Sequence, residues 1–175
     1  REDYGVKNLE NAFIHSVIIY FAKAAVGMGA EGFGSGLDSL GFGESLDFDF
    51  ELTASTYGTE GEITSDMELA DSGYGQGKIL VNPIHLSSMY TALVNGGNMV
   101  RPYLLEGQET SYWKEGVFTA DAAETVLYDL YRVVESEEGT AHEAYRTEYR
   151  LAGKTGTAEI KDSQDDTTGT ELGWF

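Results

Sequence analysis

LAGKTGTAEI, residues 151–160, carries one of only 11 Lys and Arg side chains in a chain of 175 residues. Lys154 sits between Gly153 and Thr155, and a second Gly-Thr pair, Gly156 and Thr157, follows at once. Small neighbours give a lysine stem nothing to pack against, so the sequence predicts a positive charge on an approachable surface. Alternation through YRLAGKTGTAEI, residues 149–160, predicts a strand.

The rest of the chain has the opposite charge. Thirty acidic side chains against 11 basic ones give a formal net charge of −19. Phosphate backbones are bound by clustered Lys and Arg, so no nucleic acid partner is expected. Adhesion to anionic lipid through a basic face is excluded for the same reason. Cysteine is absent, which removes disulfides, thiolate metal sites and a cysteine nucleophile. His15, His85 and His142 show no ligand spacing, so neither a metal nor any other cofactor is expected. No apolar run approaches the roughly 20 residues of a membrane span. No signal peptide is legible, so the expectation is a soluble protein or a chain whose anchor lies elsewhere.

Outward from the lysine, the chain divides into helical and extended stretches. Leu9, Ala12 and Phe13 have helical spacing. VIIYFAKAAVGM, residues 17–28, predicts a buried helix, and FGSGLDSLGFG, residues 33–43, a small amphipathic piece. Residues 44–70 are acidic and weakly patterned, the mark of a surface excursion. The Gly-dense stretch 71–83 predicts a loop. Asn82 and Pro83 open the best helix, with Ile84, Leu86, Met89, Tyr90, Leu93 and Val94 as its apolar stripe and Gly96 and Gly97 as its stop. MVRPYLL, residues 99–105, is extended, and SYWKEGVF predicts a hairpin or turn. Thr119 caps a helix over 120–134 with Ala123, Val126, Leu127, Leu130, Val133 and Val134 on one face. A short helical turn follows in ESEEGTAHEAY, then the lysine strand, a polar loop, and a last strand in ELGWF.

GKTGTAE preceded by EGTAHEAY and followed by GWF resembles the penicillin-binding protein transpeptidases, which share S-x-x-K, S-x-N and K-T-G with the serine β-lactamases. Residues 73–105 look like that family's Gly-Gln-Gly loop and the helix after it. Residues 19–44 look like the helix and Gly-rich stretch after S-x-N. The resemblance implies an α+β fold, an antiparallel sheet flanked by helices, incomplete here. A single truncated domain over 1–175 is expected, helical over about 8–135, with the K-T-G strand and its neighbour over about 148–175.

The implied chemistry is cross-linking of peptidoglycan stem peptides through a serine acyl-enzyme, on the outer face of the bacterial membrane. β-Lactams would acylate the same serine. Lys154, Thr155, Gly156 and Thr157 are the implied substrate-binding residues. Lys154 would also move protons, and the Thr157 backbone N–H would be half of an oxyanion hole. Two departures qualify this. The S-x-N position reads Ser16-Val17-Ile18, so Ser16 keeps a hydroxyl but Ile18 offers no amide. The one Ser-x-x-Lys, Ser111 to Lys114, follows the Gly-Gln-Gly helix, out of family order. The expectation is a fragment unable to form an acyl-enzyme alone. Missing strands would leave an open edge that favours self-association or a companion fragment. The competing expectations are a non-catalytic partner-binding module and, below that, a β-lactam sensor or β-lactamase.

Overall fold

The computed structural model describes residues 8–160 and 169–175, apart from the side chains of residues 159 and 160. Most of the expected polar loop between the last two strands lies outside these residues. Contacts gather the chain into two compact units, Arg1–Ile18 with Tyr128–Phe175, and Ile19–Leu127.

In the first unit, α1 (Leu9–Ile14) starts where the Asn8 side chain accepts a hydrogen bond from the Asn11 N–H at 2.8 Å. Ala12 and Ile14 are its buried positions. The helix α6 (Ala120–Glu135) belongs to this unit from Tyr128 onward. Val133 and Val134 form the core with Ala141, and Phe13 and Leu151 pack against it. The apolar face expected of α6 is present, with one addition: Asp129 is also buried. Burial, with Glu10 nearby, pushes its carboxyl above the ordinary carboxylate value. After α6 the chain folds back tightly, since a Cβ on Gly139 would lie 2.0 Å from the Val133 carbonyl oxygen. A 3-10 turn, His142–Ala144, then leads to the antiparallel hairpin β3 (Gly156–Ile160) and β4 (Thr170–Trp174).

The second unit holds α2 (Ile18–Met28) from its second residue, α3 (Ala30–Ser39), α4 (Asp66–Ser72), α5 (Pro83–Val94), β1 (Met99–Val100) and β2 (Tyr112–Lys114). The start of α5 is as the sequence predicts. The Asn82 side chain accepts from the Ile84 N–H at 2.9 Å, and Pro83 occupies the first turn. Its buried face is not as predicted. His85, Ser88 and Ala92 are buried, while Tyr90 and Val94 are exposed. Polar groups can be buried where each finds a partner. His85 Nε2 lies 2.8 Å from the Leu40 carbonyl, which can only accept, so Nε2 carries the proton. Nδ1 then accepts from the Ser55 hydroxyl at 2.6 Å. Ser88 Oγ donates to the Val100 carbonyl at 2.6 Å, which ties α5 to β1.

Residues 44–70 are likewise more than a surface excursion. They bring Leu46, Ser55, Tyr57 and Leu69 into the core of this unit. They also hold the start of α4, where Ser65 Oγ accepts from the Glu68 N–H at 3.2 Å. The Ser-x-x-Glu spacing is a helix-start signal that weak apolar periodicity concealed. Gly41, at φ 90°, is required by packing as well as by backbone: a Cβ there would lie 2.4 Å from the Trp113 ring.

Burial pushes the His85 imidazole below its ordinary value of 6.5. Unfolded, the same ring takes up a second proton at a pH where the folded ring stays neutral. Its stabilising contribution is therefore present above 6.5 and lost as pH falls through the folded value. The urea unfolding midpoint is expected to drop as pH is lowered below 6.5, and His85→Gln is expected to flatten that slope; an unchanged slope in the variant refutes the assignment.

Candidate active site

The expected site residues fall in the first unit, at two places 138 residues apart in sequence. Lys154 and Thr155 precede β3 rather than lying within it, because the strand begins at Gly156, not near residue 149. What places them is α6: the Gly153 N–H donates to the Leu130 carbonyl at 3.3 Å. Gly153 is needed there, since a Cβ would come 2.7 Å from the Phe175 ring.

The Lys154 ammonium is half-buried, not the open surface charge predicted from its small neighbours. It donates to Ser16 Oγ at 2.9 Å, to the Thr155 carbonyl at 2.9 Å and to Thr155 Oγ1 at 3.3 Å. Burial pushes its pKa below the ordinary 10.5. Ser16 sits between α1 and α2 at φ 51°, a left-handed conformation that non-glycine residues rarely adopt. Such a residue stores about 1 kcal/mol or more of strain, and such positions cluster at functional sites. The surrounding backbone holds it there: Ser16 N–H donates to the Phe13 carbonyl at 3.2 Å and Val17 N–H to the Ala12 carbonyl at 2.9 Å. Among the described residues the Ser16 hydroxyl meets the Lys154 ammonium.

Gly156 and Thr157 open β3, opposite Trp174 and Gly173. Among the described residues β3 pairs with β4 alone, so its second edge carries no strand. Ile18, the first residue of α2, offers hydrocarbon two positions after Ser16. Thr140, within EGTAHEAY, is a further member of the site: its hydroxyl accepts from Thr155 Oγ1 at 2.8 Å. Spacing alone could not reveal this contact.

Other candidates fail on geometry. Ser111 lies just ahead of β2 (Tyr112–Lys114) and not at the start of a helix, which is where the family's nucleophile is expected. Lys114 instead donates to both Glu44 carboxylate oxygens at 2.6 Å. An open cavity of about 190 Å³ lies over residues 145–151 and Glu135. Its guanidiniums are already engaged, Arg150 by Glu135 and the Tyr131 ring, Arg146 by the Glu143 and Tyr145 carbonyls. Among the described residues no cluster of His, Asp and Glu is arranged to hold a metal, and no helix is long and apolar enough to cross a membrane.

The family description "Penicillin binding protein transpeptidase domain" matches residues 1–175. The chain belongs to that family. It is 42% identical over 170 residues to penicillin-binding protein 3 of Bacillus subtilis, covering 96% of this chain and 25% of that protein. It is 27% identical over 176 residues to the peptidoglycan D,D-transpeptidase MrdA of Haemophilus influenzae, covering 90% of this chain and 27% of that one. The chain thus spans about a quarter of the length of these relatives. Its fold matches the crystal structure of PBPA from Mycobacterium tuberculosis with a TM-score of 0.80 at 19% identity, over 94% of this chain and 38% of that one. The α+β architecture expected from the sequence is therefore the family's, with helices and small antiparallel sheets.

Lys154 in the transpeptidase-family chain is expected to titrate below the ordinary lysine value of 10.5 in an NMR experiment on its side-chain ε-carbon. Ser16→Ala removes an acceptor that stabilises the ammonium, so it is expected to lower that inflection further. An inflection that rises, or stays where it was, contradicts the hydrogen-bond geometry.

Proposed function

We propose that this chain supplies the substrate-holding side of a peptidoglycan D,D-transpeptidase site. The observation that carries the proposal is the 2.9 Å hydrogen bond from the Lys154 ammonium to the Ser16 hydroxyl, which joins the K-T-G segment to the altered S-x-N segment. In this reading Lys154, Thr155 and Thr157 receive the terminal carboxylate of a D-Ala-D-Ala stem peptide, or the carboxylate of a β-lactam. Gly156 lets the peptide backbone lie along the edge of β3 that faces away from β4. The Thr157 N–H is one of two donors to the developing oxyanion, a contribution of about 100- to 1000-fold in rate for such a donor. Ser16 passes a proton between the reacting centre and Lys154, whose lowered pKa suits it to exchange. Wall precursors are cross-linked outside the membrane, so the site would work on that face.

The nucleophile would be the serine of an S-x-x-K motif at the head of a helix. The chain's one such motif, Ser111 to Lys114, runs into a strand instead. Acylation is thus a property proposed for the whole protein and not for these 175 residues alone. One solved neighbour, penicillin-binding protein A from M. tuberculosis, is a penicillin G acyl-enzyme complex, with a TM-score of 0.76 at 20% identity.

A second reading is favoured by Ile18. An isoleucine side chain cannot donate to a substrate carbonyl or accept from a catalytic lysine, as the motif's Asn amide would. On this reading the domain is a non-catalytic module that binds a partner or wall peptide. A fold neighbour, the PBP2 of Helicobacter pylori, was solved in complex with MreC.

The 175-residue chain incubated with a fluorescent penicillin is expected to give no covalent band on a denaturing gel. A band that mass spectrometry places on any of its serines overturns the assignment of the nucleophile elsewhere. In the natural full-length protein, Ile18→Asn is expected to speed acylation about 10-fold through one added hydrogen bond. A full-length protein that takes no label with either residue at position 18 favours the module.

A further inference from the structure

Thr140 stands where the two segments of the candidate site are tied together. Its backbone N–H donates to the Ile14 carbonyl at 3.2 Å, two residues ahead of Ser16. Its side-chain oxygen accepts from Thr155 Oγ1 at 2.8 Å. The turn that carries it is sterically fixed. Gly139 N–H donates to the Ser136 carbonyl at 2.9 Å, and the Val133 carbonyl leaves no room for a Cβ on Gly139. Thr140 itself is exposed, so its hydroxyl is free to rotate.

A hydroxyl has one proton to give and can accept at the same time. Thr155 Oγ1 lies 3.3 Å from the Lys154 ammonium and donates its own proton to Thr140. A carboxylate arriving at Thr155 needs that proton. We propose that Thr140 is a positioning residue for the anion site. When the carboxylate arrives, Thr140 turns its own O–H onto Thr155 Oγ1, and the Thr155 O–H swings to the anion. Both hydroxyls keep their protons; only their directions change. The donated bond fixes the Thr155 rotamer and polarises its O–H toward the ligand. The inference rests on the carboxylate role proposed for Lys154 and Thr155. It extends that site to a residue outside the K-T-G motif, on the segment that also braces Ser16.

The test compares N-acetyl-D-alanyl-D-alanine with its C-terminal carboxamide, which lacks the anion, by NMR titration of the natural full-length protein. The acid is expected to bind more tightly than the amide. Thr140→Val keeps the shape and removes the hydroxyl. It is expected to reduce that preference about fivefold, the scale of leaving one side chain unfixed, with the amide's affinity unchanged. Thr140→Ser is expected to restore the preference, which loss of packing alone would not do. Thr140→Ala, also without a hydroxyl, repeats the measurement should valine lower the melting temperature. A preference that survives in the folded hydroxyl-free variants overturns the role of Thr140 while leaving the carboxylate reading intact. A natural protein that does not distinguish acid from amide overturns the carboxylate reading, and the role of Thr140 falls with it.

Discussion

The candidate site depends on a half-buried ammonium that has found enough oxygen. A lysine taken partly out of water is costly unless its charge is solvated by the protein. Lys154 meets that condition with one hydroxyl from Ser16 and two oxygens from Thr155. The Ser16 contact requires a left-handed backbone at a serine, and the Thr155 contacts place the lysine just ahead of β3. Neither arrangement is favourable locally. Each persists because the core of Val133, Val134 and Ala141, with Phe13 and Leu151 around it, holds α1, α6 and the K-T-G segment together.

The second unit follows the same rule with different groups. α5 buries a histidine and a serine where an apolar stripe was expected. Leu40, Ser55 and Val100 supply the oxygens that make this burial tolerable. Buried polar networks of this kind fix a register that hydrophobic contact leaves loose, because a one-residue shift would orphan every partner. Residues 44–70, acidic on average, contribute Ser55 to that network. Mean composition hid the few positions that matter.

Ser16 and Ile18 pull the proposed function in opposite directions. Ser16 retains its contact with Lys154, so the proton path proposed for the family has its two members in reach. Ile18, two positions on, offers only hydrocarbon. The strained backbone at Ser16 is the kind of feature that clusters at functional sites.

Much of this was legible in the sequence for a local reason. Asn82-Pro83 and Thr119 announce helix starts through their own side chains, and K-T-G in its setting announces a family whose model spans residues 1–175. The α+β class followed from the family resemblance that K-T-G and its neighbours carry. What the sequence could not determine depends on groups brought together from far along the chain. The burial of Lys154, its bond to Ser16 across 138 residues, and the Thr140–Thr155 hydroxyl pair are properties of packing. The exchange of the α5 stripe for His85 and Ser88 has the same origin, since periodicity records which side chains are apolar but not which polar ones find partners. Sequence thus determined the residue types and the helix starts, and only the tertiary structure decided which oxygen each buried nitrogen would meet.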